Sequence, residues 1–191
     1  MAIDTGLGVT CADLQATGGI KQILLRSWAT ADVVTYGVGT AHTITNIQSG
    51  GDAAWFVYEF KNEVPSLTIA ATKENGSTAF ECTLSFMIPN LAATRMEELK
   101  NLESTCMMGL VLDTNDKWWS VGVSSKYANA SVQAKSQTFL NLVGFEGGTG
   151  AAYSDESGMT VNLMARQFEL PREYVGTVGV NTSALTATTG A

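Results

Sequence analysis

Between Phe80 and Phe86 the side chains alternate strictly. Phe80, Cys82, Leu84 and Phe86 fall on one side, Glu81, Thr83 and Ser85 on the other, and Ile88 continues the apolar series. A period of two is what a strand with one dry and one wet face requires, and an α-helix cannot use it. Upstream, Leu67, Ile69 and Ala71 alternate with Ser66, Thr68 and Ala70, and the two runs meet at Asn75-Gly76. Asn-Gly is the strongest short hairpin signal, because both central residues of a tight hairpin turn take positive φ. The pattern predicts a long hairpin with residues 78–88 as its return strand, roughly 30 Å long at about 3.3 Å per residue. Its tip, residues 72–78, is polar and is expected to project from the body.

The rest of the chain reads as further strands with one helix. Residues 20–28 form the first strand, with Ile23 and Leu25 alternating against polar Gln22 and Arg26. Residues 29–43 read as a Gly/Thr/Ala loop, and 44–48 as a short strand closed by the breaker Ser49-Gly50-Gly51-Asp52. In residues 53–60, Phe56, Tyr58 and Phe60 share one face and Trp55, Val57 and Glu59 the other, so this strand is expected to touch protein on both sides. Pro89 ends the hairpin. Asn90 is then expected to cap a helix over residues 91–103 that packs through Met96 and Leu99. Residues 106–112 and 118–123 read as a second hairpin around Asp113-Thr114-Asn115-Asp116-Lys117, followed by strands at 131–143 and 160–170 and a Gly-rich loop at 144–158. The whole is mainly β, a β-sandwich or barrel with one short α-helix, in a single domain over residues 1–191. An N-terminal arm (1–18) and a C-terminal arm (175–191) flank it. The C-terminal residues are small and carry no charge after Glu173, so they are expected to fray unless a neighbouring subunit holds them.

With 45% hydrophobic and 15% charged residues, the composition is that of a packed domain rather than a disordered chain. No apolar run approaches the ~18 residues of a membrane-crossing helix, and residues 1–10 lack Lys and Arg and carry Asp4, unlike a secretory signal. A net charge of −7, with basic residues scattered and none adjacent, opposes a nucleic-acid grip. It suits a surface that DNA passes without sticking. Three cysteines, Cys11, Cys82 and Cys106, lack metal-type spacing and read as free buried thiols.

No set of residues is arranged for catalysis. His42 is the only histidine and stands in a loop. Asp113 to Asp116 starts like a calcium loop, but Trp118 occupies the position where such a loop needs Gly, and no closing Glu follows. The Gly-rich segments lack the Gly-Lys-Ser/Thr ending of a phosphate loop. Glu97 and Glu98 are neighbours on a helix and point apart. The chain is therefore read as a non-enzyme without a cofactor or metal. Trp118-Trp119 stands out: consecutive strand residues face opposite sides, so one ring should enter the core and the other leave it, either under a neighbouring loop or as an anchor for a partner.

The order and wording of several segments resemble bacteriophage tail tube (major tail) proteins. The residues that carry the resemblance are Gly18-Gly19-Ile20-Lys21-Gln22-Ile23-Leu24-Leu25, Phe56-Val57-Tyr58-Glu59-Phe60, the Asn-Gly hairpin leading into Phe80-Glu81-Cys82-Thr83-Leu84-Ser85-Phe86, Met96-Glu97-Glu98-Leu99, Gly109-Leu110-Val111-Leu112-Asp113 with Lys117-Trp118-Trp119, and Thr160-Val161-Asn162-Leu163. The resemblance implies a virion protein, assembled in the host cytoplasm, that forms hexameric rings stacked into the tube through which the genome leaves. Its partners would be copies of itself and other tail proteins. DNA would pass without specific binding, and no membrane would be involved. The expected contact surface comprises Lys73, Glu74, Asn75, Gly76 and Ser77 at the hairpin tip, together with Trp119. A neck, head-completion or capsid decoration protein fits the same pattern, as does a β-sandwich that binds carbohydrate or another ligand through a Trp ring.

Overall fold

A computed structural model describes residues 17–29, 32–38, 42–48, 54–60, 65–124, 138–150 and 157–190. The elements are β1 (Ile20–Ser27), β2 (Val33–Tyr36), β3 (Thr43–Gln48), β4 (Trp55–Tyr58), β5 (Ser66–Glu74), β6 (Ser77–Pro89), α1 (Ala93–Glu103), β7 (Met107–Asp113), β8 (Trp118–Val121), β9 (Asn141–Gly148), β10 (Gly158–Gln167), β11 (Arg172–Tyr174), β12 (Thr177–Asn181) and β13 (Thr186–Gly190). The protein is mainly β with a single short helix among the described residues. Two sheets carry it. One has nine strands in the order β12-β13-β4-β1-β7-β8-β11-β3-β2, and the other four in the order β5-β6-β10-β9.

The large sheet curls until β13 lies against β3. The Thr189 hydroxyl donates to the Ile47 carbonyl at 2.7 Å, and the Trp55 indole N–H donates to the Thr189 hydroxyl at 3.1 Å, so the two flanks are stitched together. The curl encloses one core of Leu24, Ile44, Ile47, Trp55, Met108, Leu110, Tyr174 and Ala187. The opposite face of β1, β7 and β8 packs on the small sheet. There Ile23, Leu25, Val111 and Val121 meet Cys82, Leu84, Phe86, Val161, Leu163 and Ala165. β1 and β7 are thus buried on both faces, which accounts for the uninterrupted Ile23-Leu24-Leu25 and the apolar run of β7. Gly109 faces the inter-sheet core, where a methyl would lie 3.3 Å from both Leu25 and Leu140.

The hairpin at residues 66–89 forms as its alternation requires. β5 and β6 pair in register from Ser66↔Ser85 to Glu74↔Ser77, and Asn75 (φ 48°) and Gly76 (φ 82°) make the turn. Cys82, Leu84 and Phe86 are fully buried, with Phe80 and Ile88 half-buried at the ends. The second hairpin also stands where it was expected, with Gly109↔Val121 to Leu112↔Trp118 in register.

Several expectations are corrected. The segment 29–43 is not all loop, since Val33–Tyr36 pairs with β3 and buries Val34. Arg26 is not on a wet face. It shares the enclosed side of β1 with Leu24, forms a fully buried ion pair with Asp32, and lies 5.8 Å from the Trp55 ring centroid. Asn90 does not cap the helix, because its φ of 62° is incompatible with the extended backbone of an N-cap; Ala92 holds that place, with φ −133°. The Arg95 side chain instead reaches back to the carbonyls of Pro89 and Asn90. Met96 is 45% exposed, and the helix packs through Leu99 and Leu102. Leu99 and Leu102 join the inter-sheet core, so the strands they meet set the helix's rotation rather than its own pattern.

β9 runs through Gly148, so residues 144–148 are strand rather than loop, paired with β10 as far as Gly158↔Gly148. Gly147 is required at this pairing, because a Cβ would come within 2.4 Å of the Gly158 carbonyl. Of the strand expected at 131–143, residues 131–137 lie outside the described residues. So do residues 1–16 of the expected N-terminal arm, and Cys11. Cys106 is exposed, not buried. The C-terminal segment is paired within its own chain: β12 and β13 form a hairpin, β13 adds to β4, and Ala187 is buried beneath Trp55 and Tyr174 in the curled core. The Tyr174 hydroxyl donates to the Gly190 carbonyl at 2.8 Å. Small side chains suffice there because the backbones approach closely. A Cβ on Gly176 would fall 2.3 Å from the Gly190 carbonyl and 2.6 Å from that of Thr45.

Candidate assembly surface

The residues singled out at the tip of the first hairpin occupy a distinct place. β10 stops pairing with β6 at Gln167↔Phe80, while β5 and β6 continue through Thr72↔Ala79, Lys73↔Thr78 and Glu74↔Ser77. Three rungs therefore extend past the four-stranded sheet as a two-stranded ribbon. Lys73, Asn75, Gly76 and Ser77 are exposed on it. A ribbon of two strands has no third strand and no core to hold it, so its stability is borrowed from the sheet behind it. β5 is also an edge strand of its sheet. Unpaired edge groups are a template for pairing with another chain.

At its base the same strand lines an open groove of about 350 Å³ between the two sheets, with Ile20, Leu67, Ile69, Val111 and Trp119 on its walls. Ile69 is 45% exposed although it pairs with the fully buried Cys82, since it stands on the edge strand and faces the open groove. The two tryptophans separate as alternation demands, but neither leaves the body. Trp118 packs against the curled core. Trp119 pairs with Val111, faces the inter-sheet side, and is half-buried at the groove's rim.

Asp113 sets the Trp119 ring. One carboxylate oxygen accepts the indole N–H at 3.1 Å, and the other accepts the backbone N–H groups of Asn115 at 2.8 Å and Lys117 at 2.9 Å. Burial alone would raise the Asp113 pKa, but these hydrogen bonds outweigh it and hold the carboxyl below its ordinary value. The Asp-rich segment is thus a hairpin turn organised by its first residue. That turn also clasps the chain leading into β1. The Thr17 N–H donates to the Asn115 side chain at 3.3 Å, Asn115 Nδ2 donates to the Thr17 carbonyl at 3.2 Å, and the Thr114 hydroxyl donates to that same carbonyl. Lys21 and Asp116 pair at 2.6 Å, both largely exposed.

Among the described residues no group of three or more His, Cys, Asp or Glu is placed to hold a metal ion. His42 lies within 2.9 Å of the Leu170 carbonyl at the surface. Glu98 accepts the Tyr58 hydroxyl, which sequence reasoning missed; the link follows from the packing of α1 over β4 and has no local signal. That contact, together with burial as the larger cause, raises the Tyr58 pKa. The Cys82 thiol is pushed up to about 11 by burial and the neighbouring Glu81, so it is an inert core thiol. No protein-family model and no curated protein matches the chain.

Proposed function

We propose that the protein is the structural subunit of a phage tail tube, stacking in rings to form the conduit through which the genome leaves the particle. One observation carries the reading: a three-rung ribbon extends beyond its sheet on the same strand that lines an open apolar groove. An isolated domain gains nothing from a ribbon without a third strand, whereas a neighbouring subunit supplies one. The groove, with half-exposed Ile69 beside the fixed Trp119 ring, offers the apolar anchor that subunit contacts use. The acidic net charge of −7 suits a wall past which DNA slides. The resemblance in segment order to tail tube proteins points the same way.

Negative-stain electron microscopy of the purified protein across a concentration series tests this. Rings and then tubes should appear as concentration rises. A monodisperse monomer throughout, or discrete trimers that never stack, would overturn it.

A further inference from the structure

We infer that Asn75 is a self-modifying site, at which the side-chain amide is lost through a cyclic imide and replaced by aspartate and isoaspartate. The sequence contains a single Asn-Gly pair, and it stands at the tip of the projecting ribbon. Attack on an asparagine side chain by the nitrogen of the next residue is hindered by that residue's own side chain. Gly76 has none, and even a Cβ built there would meet nothing within 4 Å. Asn75 and Gly76 are both exposed, so water and hydroxide reach the reacting atoms. Among the described residues the rungs on either side pair only with each other, so the turn can leave its resting φ of 48° and 82° without disturbing the core.

The chemistry needs only water. The Gly76 nitrogen, having given its proton to hydroxide, bonds to Asn75 Cγ. The Cγ–Nδ2 bond breaks, and the nitrogen takes up a proton from water and leaves as ammonia. Water then opens the imide at either carbonyl, yielding aspartate with the original backbone or isoaspartate with the chain routed through the side chain. The balance is water in and ammonia out, with no change of oxidation state. Both products add a negative charge to the tip. Isoaspartate also lengthens the backbone within a two-residue turn, which the register of the outer rungs does not tolerate. The modification stands independently of the assembly reading; its effect on stacking rests on that reading.

Folded protein is incubated in mildly alkaline buffer, and each asparagine peptide is followed by mass spectrometry with an isoaspartate-specific methyltransferase assay. Asn75 should convert on the order of tenfold faster than any other asparagine, since only it precedes a residue lacking Cβ. The methyltransferase signal should vanish in Asn75→Gln. If Asn75 in the folded chain keeps its amide as long as the other asparagines while a urea-unfolded sample converts there, the folded turn forbids the attack and the inference fails. Aged and fresh protein are then compared for tube formation. Because conversion is read by mass, its failure and the failure of the assembly reading are seen separately.

Discussion

Leu84 and Asp113 show how differently single residues contribute. Leu84 is fully buried between the sheets and touches apolar neighbours from both. Leu84→Ala should lower the unfolding free energy by about 2 to 5 kcal/mol in urea denaturation, the range for truncating a packed core leucine. Asp113 acts through hydrogen bonds. Its folded pKa lies below its ordinary value of 3.8, so its contribution to stability is fully present above that value and is lost as pH falls through the lower folded one. Wild type should therefore lose more stability than Asp113→Asn as a thermal-melt series is taken from neutral pH down through that region. Identical pH profiles would show that the carboxylate does not hold the turn. The residue scale is also where polarity misleads. Arg26 looks like a surface residue because a charged side chain is almost never fully buried unless paired. Its partner Asp32 stands just past the end of β1 and the Trp55 ring comes from β4, and the alternation within β1 announces neither.

Elements built on short-range patterns are legible in the sequence; elements built on long-range pairing are not. The alternation of β6 and its Asn-Gly turn are local signals, and both were readable. The start of α1, the exposure of Met96 and the strand character of residues 144–148 depend on what packs against them, and local sequence signals misplace all three, while the end of the helix at Glu103 stands where it is expected. The C-terminal hairpin is the clearest case. It is small and uncharged, and its fit combines close backbone approach at Gly176 with packing of Val178, Val180 and Ala187 on the curled core. The projecting ribbon yields a direct test. Deleting Thr72-Lys73 together with Thr78-Ala79 moves the Asn-Gly turn inward by two rungs and keeps every remaining side chain on its face. The shortened protein should melt within a few degrees of wild type, as removal of rungs that place no side chain in either core implies, while tube formation by electron microscopy is lost. A large drop in melting temperature would mean that the ribbon supports the core.

At the scale of the whole molecule, charge and shape act together. A subunit with net charge −7 repels its copies, and that repulsion is screened over about 10 Å at 0.1 M salt and about 3 Å at 1 M. The concentration at which tubes form, followed by light scattering, should therefore fall as salt is raised. Opposite behaviour would place charge pairs rather than apolar contact at the interface. Trp119→Ala should raise that concentration while leaving the fold intact, because the ring lies at the groove's rim rather than within either core.

The sequence by itself determined that this chain is mainly β, where the β5–β6 and β7–β8 hairpins turn, and which face of β6 is dry. These follow from side-chain periodicity and turn chemistry within a few residues. Only the tertiary structure decided that the larger sheet curls into a second core, that Arg26 belongs inside it, that the C-terminal hairpin completes it, and that Trp119 shares a groove with the strand bearing the ribbon. Those outcomes depend on which distant backbones come close enough to pair, and that is settled by sheet twist and packing among segments far apart in the chain.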